Sequence, residues 1–119
     1  MSHAPVPTEI AQCIDDCLAC HRACLDTVIH CLKLGGHHAS VGHVQVLLDC
    51  AQICTTTAAF LLRFSPRHHH ACTVCAEICD ECAASCESFV GDAAMAACAK
   101  ACRTCAASCR AAAPIALSA

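Results

Sequence analysis

The stretch Cys72-Thr73-Val74-Cys75-Ala76-Glu77-Ile78-Cys79-Asp80-Glu81-Cys82-Ala83-Ala84-Ser85-Cys86 carries five cysteines at steps of 3, 4, 3 and 4. Such steps fall on one face of an α-helix, where each residue turns by about 100°. Alternation of period two is absent, so a strand has little claim. The face extends back to His68 and forward to Phe89. A helical stripe that would be Leu, Ile and Val in an ordinary bundle is here a row of thiols.

The same ladder recurs on both sides of this stretch. Upstream, Cys13, Cys17, Cys20, Cys24 and Cys31 step by 4, 3, 4 and 7, with Thr27 on the skipped rung. Cys50 and Cys54 continue in register to Thr57 and Leu61, and back to Leu47 and His43. Downstream come Cys98, Cys102, Cys105 and Cys109, with Met95 one step before them. The pattern predicts four helices, and their ends are punctuated. Thr8 is the expected first cap, and Gly35-Gly36 the first stop. Ser40 is the expected second cap. Ser65-Pro66 reads as a cap followed by proline at the first helical position, and Gly91-Asp92 as a stop and a new cap.

The expected organisation is a flexible leader at 1–7, one domain at 8–112, and a flexible tail at 113–119. The helices are placed at about 8–34, 41–64, 66–89 and 93–112. Short connections favour antiparallel neighbours, so the fold class is all-α: an up-down-up-down four-helix bundle with a cysteine-lined core.

Composition narrows the function. The 119 residues are 57% hydrophobic and 14% charged, which allows a core but not one of ordinary bulk: there is no Trp or Tyr, and 16 residues are Cys. The formal charge of −3 and the scattered Lys and Arg offer no basic patch, so no nucleic-acid partner is expected. No run of 18 consecutive apolar residues occurs, so no membrane partner is expected either. The first residues lack a basic and then apolar signal pattern, which sets the expectation of a cytoplasmic protein. No nucleophile–base–orienter set or phosphate-cradling glycine loop stands out, and the acidic residues fall between the rungs on the solvated face. The chain is therefore not expected to be an enzyme.

Three readings of the ladder compete. Cysteine can serve as a small core residue, but a continuous stripe on four helices exceeds that role. Disulfides within a helix are disfavoured, because Cβ atoms three or four residues apart sit about 5–6 Å apart, against roughly 3.8 Å in a disulfide. Metal coordination follows more naturally. Soft thiolates select Cu(I), zinc or iron–sulfur clusters. Zinc prefers closed, separated four-ligand sites, whereas Cu(I) suits a long tube of evenly spaced sulfurs. One monovalent ion per thiolate would also neutralise the core, which implies on the order of ten to twenty Cu(I) per chain.

Antiparallel packing gathers Cys13, Leu61, His68 and Cys109 at one end of the tube, with Phe64 helping to close it. The other end gathers Cys31, His43, Phe89 and Met95, with His37 and His38 in the adjoining loop. The second end is the expected entrance. Its candidate ligands are His43, Met95, His37 and His38. His68 is a further candidate, the one of the run His68-His69-His70 whose register faces the seam, since three successive residues spread over about 200°. His21 and His30 flank the stripe and are read as interface or surface residues.

With these motifs in hand, the chain resembles the bacterial copper storage proteins, cysteine-lined four-helix bundles that load Cu(I) along their cores. Its resemblance is to the cytosolic branch, and it spans all four helices from about residue 8 to 112. The family's ladder matches Cys13-x3-Cys17-x2-Cys20-x3-Cys24, Cys50-x3-Cys54, the five cysteines from Cys72 to Cys86, and Cys98-x3-Cys102-x2-Cys105-x3-Cys109. The resemblance implies non-enzymatic, high-capacity Cu(I) storage and detoxification, a homotetramer, histidines near the open end, and a copper chaperone as a candidate partner. Thr27, Thr57 and Leu61 depart from the pattern, on rungs where family members often carry cysteine or where the ladder is interrupted. The alternatives are a copper chaperone or transfer protein using the same ligands transiently, and a zinc-binding structural module.

Overall fold

A computed structural model describes residues 6–118. The chain forms α1 (Thr8–Leu34), a short 3-10 helix (Gly36–Ala39), α2 (Val41–Leu62), α3 (His68–Glu87) and α4 (Ala93–Ala112). Among the described residues there is no strand. The helices make an antiparallel up-down bundle 55 Å long and 21 Å across. Each backbone lies against two neighbours, in the cycle α1–α2–α3–α4–α1, and only side chains meet across the diagonals. A square of this kind leaves its axis to whatever side chains point inward. Here those are the cysteines, all sixteen free and buried.

Local chemistry explains the helix ends. Gly35 and Gly36 take φ of 70° and 57°, a left-handed pair that turns the chain out of α1 into the 3-10 helix. Asp92 caps α4 by accepting a hydrogen bond from the Met95 N–H at 3.1 Å. The other expected caps differ in detail. Thr8 is already the first residue of α1 and Pro7 precedes it, while Ser40 flanks α2 without a side-chain cap bond.

α3 starts at His68 rather than Pro66, because a turn comes first: the Ser65 hydroxyl accepts from the Arg67 N–H and the Ser65 carbonyl from the His68 N–H. α3 also ends at Glu87, which frees Phe89 to leave the helix. α2 stops at Leu62, and Phe64 holds the left-handed conformation (φ 53°) that lets the Ser65 N–H reach back to the Phe60 carbonyl.

α2 is the one described helix long and apolar enough to cross a bilayer by length and composition. Its inner face, however, carries His43, Cys50, Cys54 and Thr57 into the bundle, so packing accounts for that side. Its outer face exposes Val41, Leu48 and Leu62.

Much of the expected leader, residues 1–5, lies outside the described residues, as does Ala119 of the expected tail. The remainder of the tail is held. Ala113, Ile115 and Leu117 are half-buried against the core at the end where α4 stops.

Candidate metal centre

The column of sulfurs begins at Cys13, whose Sγ lies 3.9 Å from Cys17 and 3.7 Å from Cys109. Cys17 reaches Cys105 at 3.6 Å, and Cys105 lies 3.9 Å from Cys54. Cys54 sits 3.8 Å from both Cys75 and Cys79, and Cys79 is 3.6 Å from Cys50. Cys20 then joins Cys50 and Cys102, each at 3.8 Å, and Cys24 lies 3.9 Å from Cys102. All of these contacts except Cys13–Cys17 cross between helices. The 3,4 spacing turns each cysteine inward, and the square cross-section brings four rows of sulfur together.

The sulfurs form overlapping tetrads. Cys17, Cys75, Cys105 and Cys109 lie within 4.8 Å of one another, as do Cys20, Cys50, Cys54 and Cys79. Cys20 also belongs with Cys24, Cys50 and Cys102, and Cys54 with Cys75, Cys79 and Cys105. Cys24, Cys82, Cys98 and Cys102 make a further group toward the other end. Cys72 neighbours Cys13 and Cys109, and Cys86 neighbours Cys82 and Cys98, which extends the column in both directions.

Burial pushes these thiols toward the protonated form, and only donation from neighbouring S–H groups opposes it. Cys24, paired with Cys102 and Cys20, is held well above the ordinary thiol range. Cys20, bonded to Cys102, Cys105, Cys24 and Cys50, is held well below it. Cys105 is lowered to about 7, chiefly by Cys109 and then by Cys17. A cation entering such a column displaces protons that the sulfurs otherwise share.

The ladder weakens toward the far end. Thr27 fills the rung between Cys24 and Cys31, and its hydroxyl donates to the Ala23 carbonyl at 2.7 Å, so it offers no soft ligand. Leu47, fully buried, fills the rung between Cys50 and His43. Beyond them, three residues from three helices converge. Cys31 Sγ lies 3.4 Å from His43 Nε2 and 3.6 Å from Met95 Sδ. His43 Nδ1 sits 2.7 Å from the Ser85 hydroxyl, which orients the ring. Burial raises the Cys31 thiol, with the charges of Asp92 and Cys98 adding to it. Burial also lowers His43 below the ordinary histidine range, as do the nearby His38 and His37.

Phe89 covers this trio. Its ring centroid lies 4.7 Å from His43, 4.3 Å from His38 and 4.9 Å from His37. His37 and His38 thus stack on Phe89 at this end of the column rather than joining the Cys31 group. His38 Nε2 donates to Asp92 Oδ2 at 2.9 Å, and His30 Nε2 donates to the same oxygen at 3.0 Å. His68 lies at the opposite end. Its Nδ1 is 3.0 Å from the Ser65 carbonyl and its Nε2 is 3.1 Å from the Ala112 carbonyl, backbone partners that hold the ring at the end away from Cys31. His21 Nδ1 bonds the Ala51 carbonyl at 2.7 Å and ties α1 to α2 outside the column.

The sixteen cysteines, His43 and Met95 stand on the helical rungs and are buried together, whereas Ser85, Asp92 and His30 stand off them. Register arguments miss the latter three for that reason. The available signal was the cap at Asp92, which fixes where that carboxylate sits.

Taken together, the fold and site define a class: a four-helix bundle whose interior is lined by cysteines that neighbouring tetrads share. The family model for the copper storage proteins matches residues 6–114, and the chain belongs to that family. Among solved structures, a protein of Nitrosospira multiformis is 43% identical, with a TM-score of 0.83 over 88% of this chain and 94% of that one. The Cu(I)-bound copper storage protein BsCsp3 is 33% identical, with a TM-score of 0.83 over 89% and 99%. The apo copper storage protein 3 of Bacillus subtilis is 35% identical, with a TM-score of 0.78 over 87% and 97%. An uncharacterized cysteine-rich protein of Bacillus subtilis strain 168 is 36% identical over 74 residues, 62% of this chain and 68% of that protein.

Proposed function

We propose that the protein stores and detoxifies Cu(I), holding on the order of ten to twenty ions per chain on its sixteen thiolates, a role of binding rather than catalysis. The observation that carries this is the sharing of sulfurs between neighbouring tetrads. Sulfur–sulfur separations near 3.8 Å would also suit one closed tetrahedral zinc site, whose edge is about 3.8 Å for bonds of 2.3 Å. Isolated zinc sites, however, do not share ligands along a column. Bridging thiolates between monovalent soft ions do, and one positive charge per thiolate leaves the buried column neutral.

Cargo enters, on this reading, at Cys31, His43 and Met95, with His37, His38 and Phe89 around them. The neutral imidazole beside the Cys31 thiol, with Nδ1–H donating to Ser85, presents its Nε2 lone pair to the docking Cu(I), and the Cys31 proton leaves to solvent. The ion then passes the Thr27 and Leu47 level to Cys24, Cys98 and Cys86. His68 serves instead to seal the blind end.

A reducing compartment suits sixteen free thiols, so the protein is assigned to the cytoplasm, where a copper chaperone is the candidate donor. Leu18, Leu25, Ile29 and Leu32 form an exposed apolar stripe on α1 at steps of 7, 4 and 3. A homo-oligomer, with the tetramer as the specific proposal, would cover that stripe.

Anaerobic titration of the reduced protein with Cu(I) against a competing chelator tests the assignment. Saturation on the order of ten ions or more is the expected result. Saturation at one or two would sink storage in favour of transfer, and preferential zinc binding in separate four-ligand sites would favour the structural alternative.

A further inference from the structure

Outside the sulfur column, one cluster of ligating side chains has no role in the reading above. His30 projects from α1, His38 from the 3-10 helix, and Asp92 from the start of α4. Asp92 uses its two oxygens differently. Oδ1 accepts the Met95 N–H at 3.1 Å, which fixes the carboxylate. Oδ2 accepts from both imidazoles, at 3.0 and 2.9 Å. The rings stand nearly perpendicular, at 80°, with centroids 6.0 Å apart, so both Nε2 atoms converge on one oxygen from different directions. The side chains are 34%, 24% and 18% exposed for His30, His38 and Asp92, which leaves the cluster open to water.

We propose that His30, His38 and Asp92 form a binding site for a borderline divalent cation of the Zn2+ class on the rim of the mouth, chemically separate from the soft column. Two imidazoles and a carboxylate are the donor set that such ions prefer, whereas Cu(I) is drawn to sulfur. Ligand bonds of about 2.0–2.2 Å set tetrahedral donor–donor edges of roughly 3.3–3.6 Å, so each Nε2–Oδ2 spacing needs to open by about 0.3–0.7 Å. Each imidazole changes tautomer, moving its proton from Nε2 to Nδ1 and presenting a lone pair to the ion. Water completes the shell on the exposed side, and the Met95 N–H serves as the outer contact that holds the carboxylate in place.

The test reads the imidazoles directly. Long-range proton–nitrogen correlation spectra of the full-length protein are recorded during Zn2+ titration, on the Cu(I)-saturated and the metal-free forms. In the saturated form the thiolates are occupied, and calorimetry should count one Zn2+ per chain, with the Nε2 signals of His30 and His38 moving together. Asp92→Asn keeps a cap for α4 but removes the charge, and should weaken Zn2+ about 10–100-fold. His21→Gln should leave binding unchanged. The site is overturned if neither His30 nor His38 responds, if only His69 and His70 respond, or if Asp92→Asn binds as tightly as the parent. Failure to load Cu(I) would count against storage alone, since the metal-free spectra still report on both imidazoles.

Discussion

The two ends of the sulfur column are built from opposite materials. At the Cys13 end, Ile10 and Leu61 are fully buried, and Ile115 and Leu117 fold back against the core. His68 there has both ring nitrogens on backbone carbonyls, joining the turn before α3 to the last turn of α4. At the Cys31 end the inward residues are a thiol, an imidazole and a thioether within 3.6 Å of the thiol, beneath the ring of Phe89. One end is held by packing and by backbone carbonyls on either side of the His68 ring. The other presents ligands. The contrast teaches that a metal tube needs a structural seal as much as it needs a mouth, because a column of small thiols contributes little bulk of its own.

The strongest break in this comparison is at the sealed end. Leu61→Ala removes a fully buried side chain from the apolar end that Ile10 also fills. It should cost the metal-free protein about 2–5 kcal/mol, read as a lower midpoint in urea unfolding. The rate of Cu(I) uptake should stay as it was. Faster uptake in this variant would mean that the Cys13 end also admits copper, and the two ends would no longer differ in kind.

The mouth should respond in the reverse sense. Replacing His43 with Ala and Met95 with Leu, while keeping Cys31, strips two ligands from the trio and leaves the column intact. Uptake from a Cu(I)–chelator complex, followed by stopped flow, should slow by about 10–100-fold, with final capacity changed by about one ion. A loss of capacity without a change in rate would instead place these residues among the storage sites and remove the functional asymmetry.

How far this asymmetry is legible in sequence depends on whether a residue stands on a rung. The helices, the inward face and the convergence of Cys31, His43 and Met95 all follow from steps of three and four in antiparallel register. Phe89 could be assigned to that end, but not its stacking on three imidazoles, since that needs α3 to stop at Glu87. Asp92 was legible only as a cap. Its second oxygen meets His30 and His38 across 62 and 54 positions of chain, and no periodicity links residues so placed. His68 was in register but is held by carbonyls, which a side-chain pattern does not reveal. Likewise, Ile115 and Leu117 follow a proline and carry no repeat, so only the packed end shows their use.

Between the two ends lies the level where the ladder fails, and it gives the smallest and most diagnostic change. Thr27 and Leu47 are buried in the rungs that separate Cys24 and Cys50 from the mouth. Copper passing inward therefore has thiolates on one half of the tube only, from Cys86 and Cys98. Thr27→Cys restores the missing sulfur on α1 at a position whose hydroxyl is bonded only to its own helix. Serine-sized bulk is retained and one methyl is lost, so stability should change by less than about 1.5 kcal/mol. Capacity should rise by about one Cu(I), and transfer from the mouth to the column should quicken by a few-fold, on the order of 1 kcal/mol of barrier. If capacity rises but the rate does not, the Thr27 level is a missing storage site and no more. If the rate rises as well, the gap between mouth and column governs loading, and the mouth is a separate compartment from the store it feeds.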